Sequence, residues 1–249
     1  MTLFTTKTQL IYHAMWTSFR ACIAYGGKPM DIKNAVILVT SAGSQIGSTL
    51  AYHFASLGAT LVLCDRKTPQ LAQTYQLCQE ISDSVYQCPI DDHSLSSIQY
   101  LFTFMDQTVK RSPDVLINTL TAEAMPNIFD HQGSDLFTQR LSLMAATLFS
   151  FGQATAERMR EEQKNGVIVN VISHPDYQDM SGFDNATSMV AGFTQSWAKE
   201  LTPFNIRVGG VVPAIEHDNS HWAEVQDELI RNTEYIVSND YFSGRVMAA

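Results

Sequence analysis

Three stretches of the chain set polar or small residues where chemistry could be done. TSAGSQIG, residues 40–47, places Ser41, Gly43, Gln45, Ile46 and Gly47 between an apolar run and the start of a helical pattern. Free backbone N–H groups at such a helix start can cradle a phosphate. The next apolar run ends in Asp65, about twenty residues on, where a carboxylate can accept from a ribose diol and repel a 2′-phosphate. Together they point to a nucleotide-type site that favours NAD over NADP. Asp65 suits a helix N-cap equally well, and Arg66 beside it leaves room for NADP. The third stretch, SHPDYQDM, gathers Ser173, His174, Asp176 and Tyr177. Serine with histidine and aspartate invites a hydrolase, but sequence neighbours rarely form a triad and no GxSxG elbow surrounds the serine, so a solvated polar loop is favoured. His217 and His221, spaced i, i+4, have no fixed third ligand, so no metal site is expected.

These residues need a frame to hold them, and 249 residues with 45% hydrophobic and 16% charged content suffice for one globular domain. A net charge of −9 argues against a nucleic-acid or anionic-membrane surface and leaves small molecules or protein as partners. The cysteines Cys22, Cys64, Cys78 and Cys88 show no metal spacing, and Cys64 lies in an apolar run, which fits a reduced, cytoplasmic setting. LIYHAMWTSFRACIAYGG is interrupted by His13 and Arg20, so it is expected to be neither a targeting signal nor a membrane span. Its apolar residues recur at helical spacing, which predicts an amphipathic helix over 8–25 within an N-terminal extension, residues 1–32. That helix packs on its own domain or on a second subunit.

From residue 35 short apolar runs alternate with helical stretches. Strands are predicted at 35–40, 60–65, 85–90, 114–120, 166–173 and 205–212, and helices at 46–57, 68–82, 94–109, 134–163 and 183–202. The runs are apolar on both faces, as parallel strands covered by helices must be. The chain therefore reads as a single-domain α/β protein with a doubly wound parallel sheet, with ligands at the carboxyl ends of its strands.

Taken in order, these pieces resemble the short-chain dehydrogenase/reductase family over residues 33–249. TSAGSQIG matches the family's TGxxxGxG loop, CDR follows the second strand, LINTLT matches the NNAG segment and GVIVNVIS the strand bearing the catalytic serine. NATSMVAGFTQSWAKEL matches the helix after the active site, FNIRVGGVVPA the strand before a Pro-Gly turn, and NDYFSGRVM the last turn and strand. The resemblance implies a Rossmann-type domain and NAD(P)-dependent oxidoreduction. It also implies a homodimer or homotetramer built on the helices at 134–163 and 183–202.

The family's proton donor is a tyrosine made acidic by a lysine four residues later. Counting back from Gly192, those positions hold Phe183 and Thr187, which have no proton to give and no charge to lower a pKa. The tetrad asparagine falls on Ser142, so Ser173 is the retained member. Tyr177 could enter the site, but Lys199 stands roughly 18 Å along the helix from Thr187, and Lys164 is the other near lysine. In the loop, Ser41 and Gln45 replace the first and middle glycines and Gly47 is kept. A glycine is needed where backbone meets pyrophosphate, so Gln45 should weaken binding. Asn118 is kept from NNAG, followed by Thr119, Leu120 and Thr121. Pro89 stands where an aspartate would contact adenine, Ala214 follows Pro213, and Asp218 stands near the position of a carboxamide-binding threonine.

Two functions follow from these residues. One is an NAD-dependent short-chain oxidoreductase, impaired or inactive. The other is a pseudoenzyme that uses the scaffold for binding or regulation, which explains why losses fall on every functional element at once. In a third, the pocket takes another nucleotide or metabolite, with Gln45 as a new contact.

Overall fold

The computed structural model describes residues 30–122, 124–126, 128–129, 133–173, 183–213 and 222–249. The helix expected over 8–25 lies outside the described residues, as do His174, Asp176, Tyr177, Ala214, His217, Asp218 and His221.

The alternation in the sequence becomes β1 (Val36–Thr40), α1 (Gln45–Ser56), β2 (Thr60–Arg66), α2 (Pro69–Gln79), β3 (Val85–Ile90), α3 (Leu95–Thr108) and β4 (Val115–Thr121). It continues through α4 (Gly133–Glu161), β5 (Val167–Ser173), α5 (Phe183–Leu201), β6 (Arg207–Val212), α6 (Trp222–Ser238) and β7 (Arg245–Ala248). The strands form one sheet in the order β3-β2-β1-β4-β5-β6-β7, and every neighbouring pair is parallel. Successive side chains on a strand point to opposite faces. Val36, Leu38, Val62, Leu116 and Ile168 therefore join a core with α3, α4 and α5, while Ile37, Val39, Leu61, Ile117 and Val169 join a second core with α1, α2 and α6.

Helix α6 has no counterpart among the helices expected from sequence. Its stretch WAEVQDELIRNTEYIVS is polar in its first turns, and its packing face, Leu229, Thr233, Ile236 and Val237, includes a threonine that satisfies its hydroxyl on Leu229 O at 2.7 Å. The described cysteines are buried free thiols, as expected for Cys64. Burial pushes Cys78 and Cys88 up to about 11 and raises Cys64 as well, so all three stay neutral. Among the described residues no helix is long and apolar enough to cross a membrane.

Candidate functional site

The strand order reverses between β1 and β4, which leaves a crevice at the carboxyl ends of the strands. A cavity of about 720 Å³ opens there. The β1–α1 loop contributes Ser41, Gly43 and Ser44, the end of β2 contributes Asp65 and Arg66, and the turn after β3 contributes Asp91, Asp92 and His93. Its far wall is Leu120 and Thr121 from β4 with Leu143, Met144 and Thr147 from α4.

The loop is clamped to its neighbours. Ala42 N–H donates to Cys64 O at 3.2 Å, Gly43 N–H to Asp65 Oδ2 at 2.8 Å, and the Thr74 hydroxyl to Ala42 O at 3.0 Å. Ser44 caps α1 by accepting from Gly47 N–H at 3.1 Å, and its own N–H donates to Ser41 O at 2.9 Å. A Cβ on Gly47 would lie 2.3 Å from Ser41 O, so this glycine permits the tight strand-to-helix turn. Ser41 has φ +45°, a left-handed conformation that favours glycine. Gln45 is the exposed first residue of α1, followed by the buried Ile46, and neither contributes to the cavity wall.

Asp65 faces the cavity, with Oδ2 on Gly43 and Oδ1 accepting from Arg66 N–H at 2.7 Å. A carboxylate has about four acceptor sites, so two such bonds leave capacity for a ribose diol. Asn118, by contrast, is fully buried in a polar network between strands. Its Oδ1 accepts from the Thr40 hydroxyl at 3.2 Å, and its Nδ2 donates to Leu148 O at 3.0 Å and Asn170 Oδ1 at 3.3 Å. Asn118 thus ties β1, β4, β5 and α4 together and lies behind the cavity.

Ser173 ends β5 opposite Thr121, and its carbonyl accepts from Ala122 N–H at 2.7 Å. It is 6% exposed, and Phe183, the first residue of α5, is 1% exposed within the apolar core that includes Met125, Met144 and Ile172. The Thr187 hydroxyl donates to Asp184 O at 3.0 Å. Ser142 is exposed on α4, and the neighbouring cavity wall comes from Leu143, Met144, Ala146 and Thr147. Met144 is on the cavity wall and Ser142 is not, because the helical stripe of Met144, Leu148 and Phe151 is the one that α4 turns inward. Neither nearby lysine reaches this end. Lys164 precedes β5 and is held by Asp114 at 2.9 Å, and Lys199 is exposed in the last turn of α5.

Asp91, Asp92 and His93 are cavity residues that the sequence did not single out. Hydrogen bonds from the Ser94 and Ser97 side chains hold Asp92 down at about 2. His93 shares a hydrogen bond with Thr147 Oγ1 at 3.1 Å and packs edge-on to Phe151 at 5.7 Å. Burial lowers its pKa first, Asp65 opposes that, Arg66 adds to it and Asp92 opposes it.

For a nicotinamide dinucleotide the two ends of the crevice differ. Asp65, Arg66 and the apolar wall suit an adenosine. At the end of β5, the described residues include the buried Ser173 and Phe183, with Thr187 bonded to its own helix.

A sequence profile described as short chain dehydrogenase matches residues 35–228. The 7alpha-hydroxysteroid dehydrogenase of Escherichia coli (strain K12) is 26% identical over 189 residues, which cover 74% of this chain and 71% of that protein. Among solved structures, a short chain dehydrogenase from Mycobacterium smegmatis superposes with a TM-score of 0.72 at 25% identity, covering 89% of this chain and 95% of the other. A 3-ketoacyl-(acyl-carrier-protein) reductase from Brucella melitensis complexed with NADH shares the fold, with a TM-score of 0.71 at 20% identity over 86% of this chain and 96% of that one. With the parallel seven-stranded sheet, the glycine-containing turn and the profile match over most of its length, this chain belongs to the short-chain dehydrogenase family.

Proposed function

We propose that this chain is a member of the family that does not transfer hydride and acts as a binding or regulatory module on the Rossmann scaffold. The observation that supports the proposal is the burial of Phe183, the residue that the sequence resemblance sets at the family's tyrosine. Loss of a general acid typically costs about 10²–10⁴-fold in rate. Thr187 offers no cation to replace the lysine, and Met144 offers no polar group at the end of the crevice. NAD binding is weak or lost, and NADP is disfavoured further by the Asp65 carboxylate. Ser173 alone cannot supply a proton with a pKa matched to the reaction.

Oligomer formation is retained in this proposal. Phe149, 46% exposed on α4, and Phe193 on α5 flank Trp197, with ring centroids 6.3 and 5.2 Å from it. These aromatic side chains on adjacent helices form a surface on which a second copy of the chain packs to give a homodimer or homotetramer.

The test is turnover of NADH and NADPH with a panel of ketones and aldehydes at high protein concentration. No oxidation above background is expected. Saturable, substrate-dependent oxidation would establish the competing NAD-dependent oxidoreductase and overturn the proposal.

A further inference from the structure

We infer that Asn165 is a site of spontaneous covalent modification, at which the Gly166 backbone nitrogen attacks the side-chain amide and converts the residue to aspartate and isoaspartate. The inference is independent of whether the crevice supports hydride transfer.

Asn165 and Gly166 form the one Asn-Gly pair in the chain, and they lie between two closed elements. Beyond α4, Gln163 is left-handed at φ +53°, its N–H donates to Arg160 O at 3.1 Å, and Lys164 N–H donates to Met159 O at 2.9 Å. This pair of bonds is a Schellman motif, which satisfies carbonyls at the helix end and stops the helix there. The ladder of β5 begins with Val167 N–H donating to Asp114 O at 3.0 Å. Asn165 falls in the gap and is exposed. Among the described residues, neither its side-chain amide nor the Gly166 N–H has a hydrogen-bond partner. Gly166 O accepts from Arg207 N–H at 2.9 Å, so this residue is held by its carbonyl while its nitrogen stays open.

Packing requires the glycine. A Cβ on Gly166 would run into the Met159 side chain where α4 crosses the start of β5. The missing side chain also leaves the nitrogen unshielded. Other asparagines differ on both counts. Asn118 and Asn170 are fully buried with their amides bonded, and Asn34, followed by alanine, donates to Asp31 at 2.6 Å.

In the first step the Gly166 nitrogen loses its proton to hydroxide and bonds to Asn165 Cγ, while the bond from Cγ to the amide nitrogen breaks and ammonia leaves with a proton from water. Water then opens the resulting succinimide at either carbonyl, giving aspartate or isoaspartate. Neither step needs an oxidant or a cofactor, and adjacency in one short loop supplies the proximity that ring closure relies on. Both products add a carboxylate to the segment that holds Glu162 and Lys164, the latter paired with Asp114 at 2.9 Å. Isoaspartate also lengthens the backbone by a methylene between α4 and β5.

The experiment is incubation of the full native chain in warm, mildly alkaline buffer. Peptide mass spectrometry follows conversion of amide to carboxyl at each asparagine, and labelling by an isoaspartyl methyltransferase follows the rearranged product. Asn165 is expected to convert ahead of every other described asparagine, at a rate within about tenfold of that in the urea-unfolded chain, since tenfold is the equivalent of about one hydrogen bond. Asn165→Gln, whose longer arm must close a larger ring, should lose the labelling at this position. A native rate more than about tenfold below the unfolded one would show that α4 or β5 must open first and would overturn the inference. Earlier conversion of another described asparagine, or unchanged labelling in Asn165→Gln, would overturn it as well. The comparison of native with unfolded chain needs no variant.

Discussion

The Gly43 N–H donates to Asp65 Oδ2 at 2.8 Å, so the carboxylate at the end of β2 holds the β1–α1 loop in place while facing the cavity. A Cβ on Gly43 would lie 3.0 Å from that oxygen and 2.9 Å from Leu71 N, at the start of α2. Gly43→Ala is therefore expected to displace the loop and destabilise the fold by about 1–3 kcal/mol, the usual cost of overpacking. Urea denaturation of the variant checks this, and an unchanged midpoint would show that the loop shifts freely.

Ser41 holds a left-handed conformation, with φ +45°. That conformation costs a non-glycine residue about 1–2 kcal/mol, offset in part by the greater chain entropy that glycine loses on folding. Ser41→Gly should raise stability by about 0.5–1 kcal/mol and the midpoint temperature by about 1–4 °C, read by calorimetry.

Phe183 is buried among apolar side chains at the head of α5. Phe183→Tyr adds a hydroxyl that must find a partner there, and an unsatisfied one costs about 1–3 kcal/mol. The expected result is a less stable protein and no gain of reductase activity, even with Thr187→Lys. Measurable turnover in the double variant would show that dinucleotide and carbonyl substrate both enter.

Burial holds the His93 imidazole below its ordinary value. The unfolded chain takes up a proton near its ordinary pKa of about 6.5 while the folded one resists until a lower pH, so the stability this histidine contributes is present above about 6.5 and is lost as pH falls through the folded pKa. Thermal midpoints between about pH 5 and 8 should fall toward acid more steeply in the wild type than in His93→Gln. Parallel curves would place the acid sensitivity elsewhere.

Phe149 and Phe193 border Trp197 on the outer faces of α4 and α5. A charge placed on that surface cannot be desolvated without large cost. Phe149→Glu is expected to lower the molecular mass seen by light scattering at micromolar concentration to that of the 27.7 kDa monomer, with little loss of helix signal. A monomeric wild type would remove this surface from the proposed function.

The strands β1 to β6 and the helices α1 to α5 were legible in the chain, because apolar runs such as AVILVT and TLVLCD carry their burial on both faces and need no tertiary knowledge to be seen, whereas α6 was not. The identities Phe183 and Thr187, on which the proposed function draws, are also read directly from the chain. Three things were decided by packing. Asn118 sits in a chain motif that resembles a cofactor segment, yet its amide is spent between Thr40, Leu148 and Asn170 behind the cavity, because an unpaired amide inside a sheet would be costly. Met144, and not Ser142, meets the crevice because helical phase, which a loop of uncertain length obscures in sequence, is set by the stripe that α4 buries. His93 and Asp91 join Asp65 at the same rim through parallel pairing of β2 with β3, a contact between residues far apart in the chain. Local periodicity reports which faces are apolar; which polar side chains meet depends on register and helix rotation, and those are settled when the cores close.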